Sequence, residues 1–204
     1  GFNAGKGAET VNSSKRNSLG IRPYTSVLES GFFRGIGLTR SIADFEVTLF
    51  YSGLKQDGNI QTDTTYSEFE AFVNSIQQTG FHRTPNELAS RDQIREESMG
   101  AVVSYQPHRR FTIGVSSLNN KYSKPLQPRP NNYNQFEFKG DHNFITSIYG
   151  HYTWQNFTFF GEGAQSKSGG IGAIGGFVAS LSRMIDFAMV FRKYDRNFHS
   201  IYGN

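Results

Sequence analysis

The chain contains no cysteine, and only 19% of its 204 residues are charged. Without thiols it can form neither a disulfide scaffold nor a thiolate metal site. It also lacks any run of about 20 apolar residues, the length that a membrane-spanning helix needs. Tryptophan occurs once, whereas phenylalanine occurs 19 times and tyrosine 10 times, and this aromatic content argues against disorder. The net charge of +4 indicates no particular partner.

Apolar and polar residues alternate with a period of two along most of the chain, a pattern typical of strands with one apolar face. The clearest example is 45–52, in which Phe45, Val47, Leu49 and Tyr51 share one parity. We predict eight strands, with lengths typical of tilted strands that cross a bilayer. They are centred on 32–39, 45–52, 98–105, 111–116, 144–152, 157–164, 170–181 and 185–192.

The connections between these strands are short and long in near alternation. Four are tight turns, at 40–44, 106–110, 153–156 and 182–184, and a fifth short connection lies at 167–169. Two are long, at 53–97 and 119–141. Outer-membrane barrels have short turns on one rim and long loops on the other, so this order predicts that the four tight turns share a rim.

Each long loop has its own composition. The segment 53–97 carries the capping-box pattern Thr84-Pro85-Asn86-Glu87, which predicts a short helix. It also holds almost half of the acidic residues, so we expect a folded, solvent-facing cap. The segment 119–141 has prolines at 125, 128 and 130, a composition that excludes a central strand.

The two faces of the strands differ in chemistry. We predict that one face contacts lipid, through Val47, Leu49, Val103, Ile113, Phe159, Phe187 and Met189. We predict that the other face lines a lumen, through the polar residues Glu46, His151, Glu162, Asp186 and Arg192, whose charges should pair in an internal salt network. Aromatic residues flank the tight turns, as interfacial belts require, at Phe45, Tyr105, Phe111, Tyr152, Trp154, Phe157 and Phe187.

The predicted fold is therefore all-β, an antiparallel up-and-down transmembrane β-barrel. The barrel segment is 31–195, with extracellular loops at 53–97 and 119–141. Segment 1–30 is expected to be an extracellular loop, and 196–204 the start of a further one. Both ends then lie on the long-loop side, so we expect the eight strands to be part of a larger barrel.

Motifs for catalysis and ligand binding have simpler interpretations. The glycines of 170–175 match a dinucleotide fingerprint, but a turn precedes them and a strand follows, so they indicate a barrel strand. No two histidines have metal-ligand spacing. Ser147 and His151 share a face but lie about 13 Å apart along one strand. Asp57-Gly58-Asn59 indicates a turn rather than a calcium loop. We expect no metal, no cofactor and no catalytic residue.

Several loop segments resemble a known family. They are RPYTS at 22–26, GFFRG at 31–35, TGFHRT at 79–84 followed by Glu87-Leu88, SKPL at 123–126, YNQF at 133–136 and IYGN at 201–204. Together they resemble outer-membrane barrels of Bacteroidota that follow a small periplasmic helix–hairpin–helix domain in the same chain. The resemblance covers nearly the whole sequence. It implies a location in the outer membrane of a Gram-negative bacterium and membership of a larger envelope complex, and it implies no catalytic residues.

The expected function is non-enzymatic. The chain would act as a porin-like channel or as the barrel subunit of an envelope transport, secretion or assembly complex. Its partners would be outer-membrane lipid, lipopolysaccharide and other envelope proteins. Nucleic acid is not expected, because the basic residues lack the aromatic interleaving of a single-strand groove. The alternatives are an outer-membrane hydrolase and a soluble β-domain that binds carbohydrate or protein.

Overall fold

The structure is a computed structural model that describes residues 21, 32–62, 71–77, 82–128, 131, 134–182 and 185–202. Most of the segment 1–30 and part of the turn 182–184 lie outside these residues. The described strands are β1 (Gly35–Ile42), β2 (Phe45–Gln61), β3 (Phe72–Gln77), β4 (Ile94–His108), β5 (Phe111–Leu126), β6 (Gly140–Trp154), β7 (Phe157–Ser166), β8 (Ile171–Ser180) and β9 (Asp186–Tyr194). The helix α1 spans Pro85–Ser90.

Strand pairing confirms the all-β class. Antiparallel pairs join the strands in the order β1-β2-β4-β5-β6-β7-β8-β9. The prediction of a purely antiparallel up-and-down barrel is wrong for β3, which pairs with β2 beyond Gln56 and meets β5 in parallel at Val73 and Leu126. As a result β2, β3, β5 and β4 close a small mixed barrel, and the other five strands flank it.

The described parts of the four tight turns lie side by side at one rim of the sheet, as their lengths predict. Each turn region is joined to its neighbour by a backbone hydrogen bond. These bonds run from the N–H of Gln106 to the carbonyl of Asp44 (2.8 Å), from Thr153 to Arg110 (2.7 Å) and from Ser180 to Asn156 (3.1 Å). We call this edge of the sheet the turn rim and the opposite edge the loop rim.

Several strands extend further into the predicted long loops than the alternation indicates. β2 continues to Gln61 and β4 begins at Ile94, so the intervening connection is shorter than 53–97. β5 continues to Leu126 and includes Pro125, contrary to the expectation that this segment forms no strand. The pairing of β5 with β6 shifts register between Lys121 and Leu126, which accommodates a residue without an N–H.

The helix α1 begins with the predicted capping box. The hydroxyl of Thr84 accepts a hydrogen bond from the backbone N–H of Glu87 (3.3 Å). The carboxylate of Glu87 accepts from the N–H groups of Arg83 (2.6 Å) and Thr84 (3.0 Å), and these bonds lower its pKa. Within the part of the chain that is described, neither this helix nor any other is long and apolar enough to cross a membrane.

The hydrophobic core lies inside the small barrel, near the loop rim. Val73, Ile94 and Tyr122 are almost fully buried there, and Ile201 packs against them from the segment after β9. Ile94 is directed at Gly58, where a Cβ atom would lie only 2.0 Å from its side chain, so glycine is required at this close approach.

Candidate functional site: the two faces of the sheet

The outward face of the sheet is apolar and exposed. On β2, Leu49 is 50% exposed, and on β4, Val103 is 42% exposed, although both lie in the middle of long strands. Ile113, Phe159, Phe187 and Met189 are exposed as well, whereas Val47 is half-buried. Six of the seven residues predicted to face lipid are thus exposed apolar side chains. Isolated exposed apolar residues are ordinary, but a contiguous patch of this kind indicates an interaction surface.

Aromatic rings form a band on this face along the turn rim. Phe45 stacks against Tyr105 with ring centroids 4.7 Å apart. Further along, a chain of close ring contacts of 5.6–6.4 Å runs through Trp154, Phe157, Phe159, Phe177 and Phe187. The band spans β2 to β9. All seven residues predicted to flank the tight turns take part in ring contacts within it or beside it. Such bands are typical of the boundary between hydrocarbon and headgroups.

The inward face is polar, and its side chains pair across strands. Thr39 and Thr48 form a hydroxyl–hydroxyl hydrogen bond of 2.9 Å, and Ser116 and Ser147 form one of 2.8 Å. Among the described residues, ten buried side chains are polar or charged and eight are hydrophobic. A soluble domain has the opposite preference, with apolar residues inside. The buried side chains of the described residues are therefore more often polar than those of an ordinary soluble domain.

The predicted lumen residues fall on this inward face but are spread across it. Glu46 and Glu162 lie in the same row of paired residues, four strands apart, which is roughly 19 Å along the sheet. Arg192 continues that row two strands beyond Glu162. Asp186 lies at the turn rim, opposite Ser180. Of these five residues, His151 and Glu162 lie closest to each other, as diagonal neighbours on β6 and β7.

The expected internal salt network is not formed by these charges. Within the described part of the chain, no salt bridge involves Glu46, Asp186 or Arg192. All three side chains are exposed, because β9 is an edge strand and Glu46 lies close to the turn rim. Distance along the sheet also separates them, so the prediction of a salt network is wrong for these three residues.

The hydroxyl of Ser147, which shares a strand face with His151, forms a hydrogen bond with the hydroxyl of Ser116.

The best-defined polar centre on the inward face is Glu96, which the sequence patterns did not single out. Glu96 is buried, with only 3% of the residue exposed. One oxygen accepts hydrogen bonds from Ser98 (3.0 Å), Asn120 (3.5 Å) and the hydroxyl of Tyr202. The other accepts from the side-chain amide of Gln56. Four neutral donors therefore solvate a buried carboxylate, which is how such a charge can be retained without a cation.

One local signal could have identified Glu96. Ile94, Glu96 and Ser98 continue the inward parity of β4 upstream of the predicted strand start, and a carboxylate at an inward position is unusual. The prediction of a solvent-facing cap placed Glu96 in a loop and is wrong at this position. Tyr202 carries no comparable signal, because it lies outside every strand and is 106 residues away along the chain.

Other inward polar atoms are buried without a protein partner. Among the described residues these are Thr112 Oγ1, Asn120 Oδ1, Tyr122 Oη, Asn143 Oδ1 and Tyr149 Oη. Buried polar groups normally find a hydrogen-bond partner in protein or in water. Their positions on β5 and β6 indicate an inward face that is suited to contact with water.

A histidine–aspartate pair lies near the loop rim. His82 Nε2 is 2.7 Å from Asp57 Oδ2, and the second oxygen of Asp57 accepts a hydrogen bond from the N–H of Asp92 (2.9 Å). Asp57 thus belongs to β2 rather than to the predicted turn. Its carboxylate contacts His82 before α1 and Asp92 after it, and so links both ends of the helical segment to the sheet. Among the described residues, no group of three or more His, Asp or Glu side chains could hold a metal ion.

Comparison with protein families, with curated proteins and with solved structures gives no match to this chain.

Proposed function

We propose that this chain forms part of a β-barrel in the outer membrane of a Gram-negative bacterium and acts as a channel or as the barrel subunit of an envelope transport, secretion or assembly complex. One observation carries the proposal: exposed apolar side chains such as Leu49 and Val103 cover the outward face, while more of the buried side chains are polar or charged than hydrophobic. The hydrophobic effect would make this arrangement unfavourable in water, whereas lipid would cover the outward face at no such cost.

Three further features support a membrane setting. The aromatic band follows the turn rim, the short turns share one edge, and α1 with its neighbouring charges lies towards the opposite edge. This asymmetry is typical of outer-membrane barrels. The resemblance to Bacteroidota barrels that follow a periplasmic helix–hairpin–helix domain agrees with the same assignment, and on this basis we expect lipid, lipopolysaccharide and other envelope proteins as partners.

Single cysteines would test the proposal, because the chain has none of its own. Leu49→Cys reports on the outward face. Ser104→Cys reports on the inward face near the turn rim. In cells that express the full chain, we expect both variants in the outer-membrane fraction. A water-soluble maleimide should then modify Ser104→Cys and leave Leu49→Cys unmodified until denaturant is added.

The alternatives predict other outcomes. A soluble β-domain would appear in the soluble fraction, with Leu49→Cys as reactive as Ser104→Cys. An outer-membrane hydrolase would fractionate with the membrane but would hydrolyse a lipid or peptide ester. Conductance of the purified chain in planar bilayers separates a channel from a scaffold subunit, since only a channel raises the ion current.

A further inference from the structure

The segment after β9 does not leave the sheet but crosses its inward face. Asp195 begins the crossing at β8, where its N–H donates to the carbonyl of Ile171 (2.9 Å) and its carboxylate accepts from the Ile171 N–H (3.0 Å). Asn197 and Ser168 then contact each other through both side chains. We call the segment 195–202 the strap. The sequence predicts that 196–204 starts a further extracellular loop, and the structure places 195–202 against the inward face of the sheet.

The strap continues across β7 and β6 towards the small barrel. The N–H of His199 donates to the Ser166 hydroxyl on β7 (3.2 Å), and the His199 carbonyl accepts from the amide of Asn143 on β6 (3.0 Å). Ile201 packs on the core of the small barrel, which β4 and β5 help to form. The contacts therefore advance in strand order from the β9 edge towards the centre of the sheet, along the loop rim.

The strap ends in the polar centre around Glu96. The Tyr202 hydroxyl donates to the Glu96 carboxylate, and the Tyr202 ring packs against Phe33 with centroids 4.7 Å apart. Phe33 in turn contacts Phe50 at 4.9 Å. A hydrogen bond to a charged carboxylate is stronger than one between neutral groups, so this contact is suited to hold the end of the strap.

We propose that residues 195–202 form a strap that narrows the barrel lumen at the loop rim, and that the Tyr202–Glu96 hydrogen bond is the latch that keeps it in place. This inference rests on the proposed function, because only a barrel has a lumen to narrow. Release of the latch would uncover the inward face of β6 and β7 at the loop rim and widen the path for solutes.

A reporter under the strap tests this placement without any need for channel activity. Ser166 is 4% exposed and lies directly below His199, so Ser166→Cys should react slowly with a water-soluble maleimide in outer-membrane vesicles that carry the full chain. Tyr202→Phe keeps the ring and removes only the hydroxyl. We expect this change to accelerate the modification about tenfold to a hundredfold, the range that one hydrogen bond to a charged group supplies.

Two controls separate the latch from a general loss of structure. Ser104→Cys lies on the same face at the turn rim, and its reactivity should not change with Tyr202→Phe. Glu96→Gln keeps an acceptor oxygen and removes only the charge, so it should accelerate the modification less than Tyr202→Phe. In the Tyr202→Phe background it should add nothing, because the contact that it weakens is already absent. Equal reactivity of Ser166→Cys with and without the Tyr202 hydroxyl would overturn the latch, as would additive effects of the two changes.

Conductance then tests the narrowing itself. The side chains of Ser168 and Asn197 each reach the backbone of the other, so the pair Ser168→Cys/Asn197→Cys should form a disulfide in a chain with no other thiol. In the Tyr202→Phe background, we expect a larger conductance when this disulfide is reduced than when it is oxidised. Unchanged conductance with a formed disulfide would refute the narrowing. No conductance in any variant would instead refute the channel function and leave the thiol experiment to decide on the strap.

Discussion

An arginine on the outward face of β4 tests the orientation of the whole sheet. Val103 is 42% exposed and lies one residue, about 3.3 Å, from the midpoint of the outward apolar run between Met99 and Tyr105. If lipid covers this face, Val103→Arg places a charge near the bilayer midplane and should cost about 2–4 kcal/mol of folding free energy. If water covers it, the same change at a partly exposed site should cost within about 0.5 kcal/mol.

The matched control is Ser104→Arg, one residue along the same strand and on the opposite face. We expect it to cost less than Val103→Arg, because the inward face is polar and an arginine there can reach water. Both variants can be refolded into lipid vesicles and unfolded with urea, with the fluorescence of the single tryptophan, Trp154, as the probe. A cost for Val103→Arg equal to or below that of Ser104→Arg would falsify the membrane orientation.

Four further predictions concern the strap, the helix and the packing of the strands. Burial and the hydrogen bond to Glu96 raise the pKa of Tyr202, so its contribution to strap docking should be complete below its ordinary pKa of 10.0 and should be lost as the pH rises above it. Thr84→Ala removes the helix N-cap and should cost about 1 kcal/mol of local stability, measured as faster amide exchange in α1. Because the pKa of Glu87 is lowered in the folded chain, its contribution to the stability of α1 should be lost as the pH falls below its ordinary pKa of 4.5. Gly176→Ala should destabilise the chain by about 1–3 kcal/mol in urea, because the new Cβ would lie 2.2 Å from a backbone oxygen of β9.

Each of these has its own check. The absorbance difference between the chain and Tyr202→Phe should show one tyrosine that ionises well above pH 10, and ordinary titration of that residue would contradict the buried latch. Unchanged exchange in α1 after Thr84→Ala would mean that tertiary contacts, not the cap, hold the helix. Gly163→Ala is the control for Gly176→Ala, since a Cβ there meets no atom within 4 Å and the change should be neutral.

The sequence by itself predicted eight of the nine described strands, the tight turns and the two faces. Side chains on a strand alternate strictly between faces, so the parity of Val47, Leu49 and Val103 already separates them from Thr48 and Ser104. The capping box at Thr84 is likewise readable because both of its hydrogen bonds join residues three apart. These features depend on neighbours along the chain, and local spacing is what a sequence pattern records.

Only the tertiary structure decided how the strands close and where the polar centre lies. The parallel pairing of β3 with β5 depends on one contact between Val73 and Leu126, and no local pattern specifies a partner 53 residues away. The latch joins Glu96 to Tyr202 across 106 residues, and Gln56 reaches the same carboxylate across 40. The alternation along each strand assigned Glu46, Asp186 and Arg192 to the inward face, because local backbone geometry sets the face of a side chain. It could not predict how far apart they lie, because that distance depends on the order of the strands across the sheet.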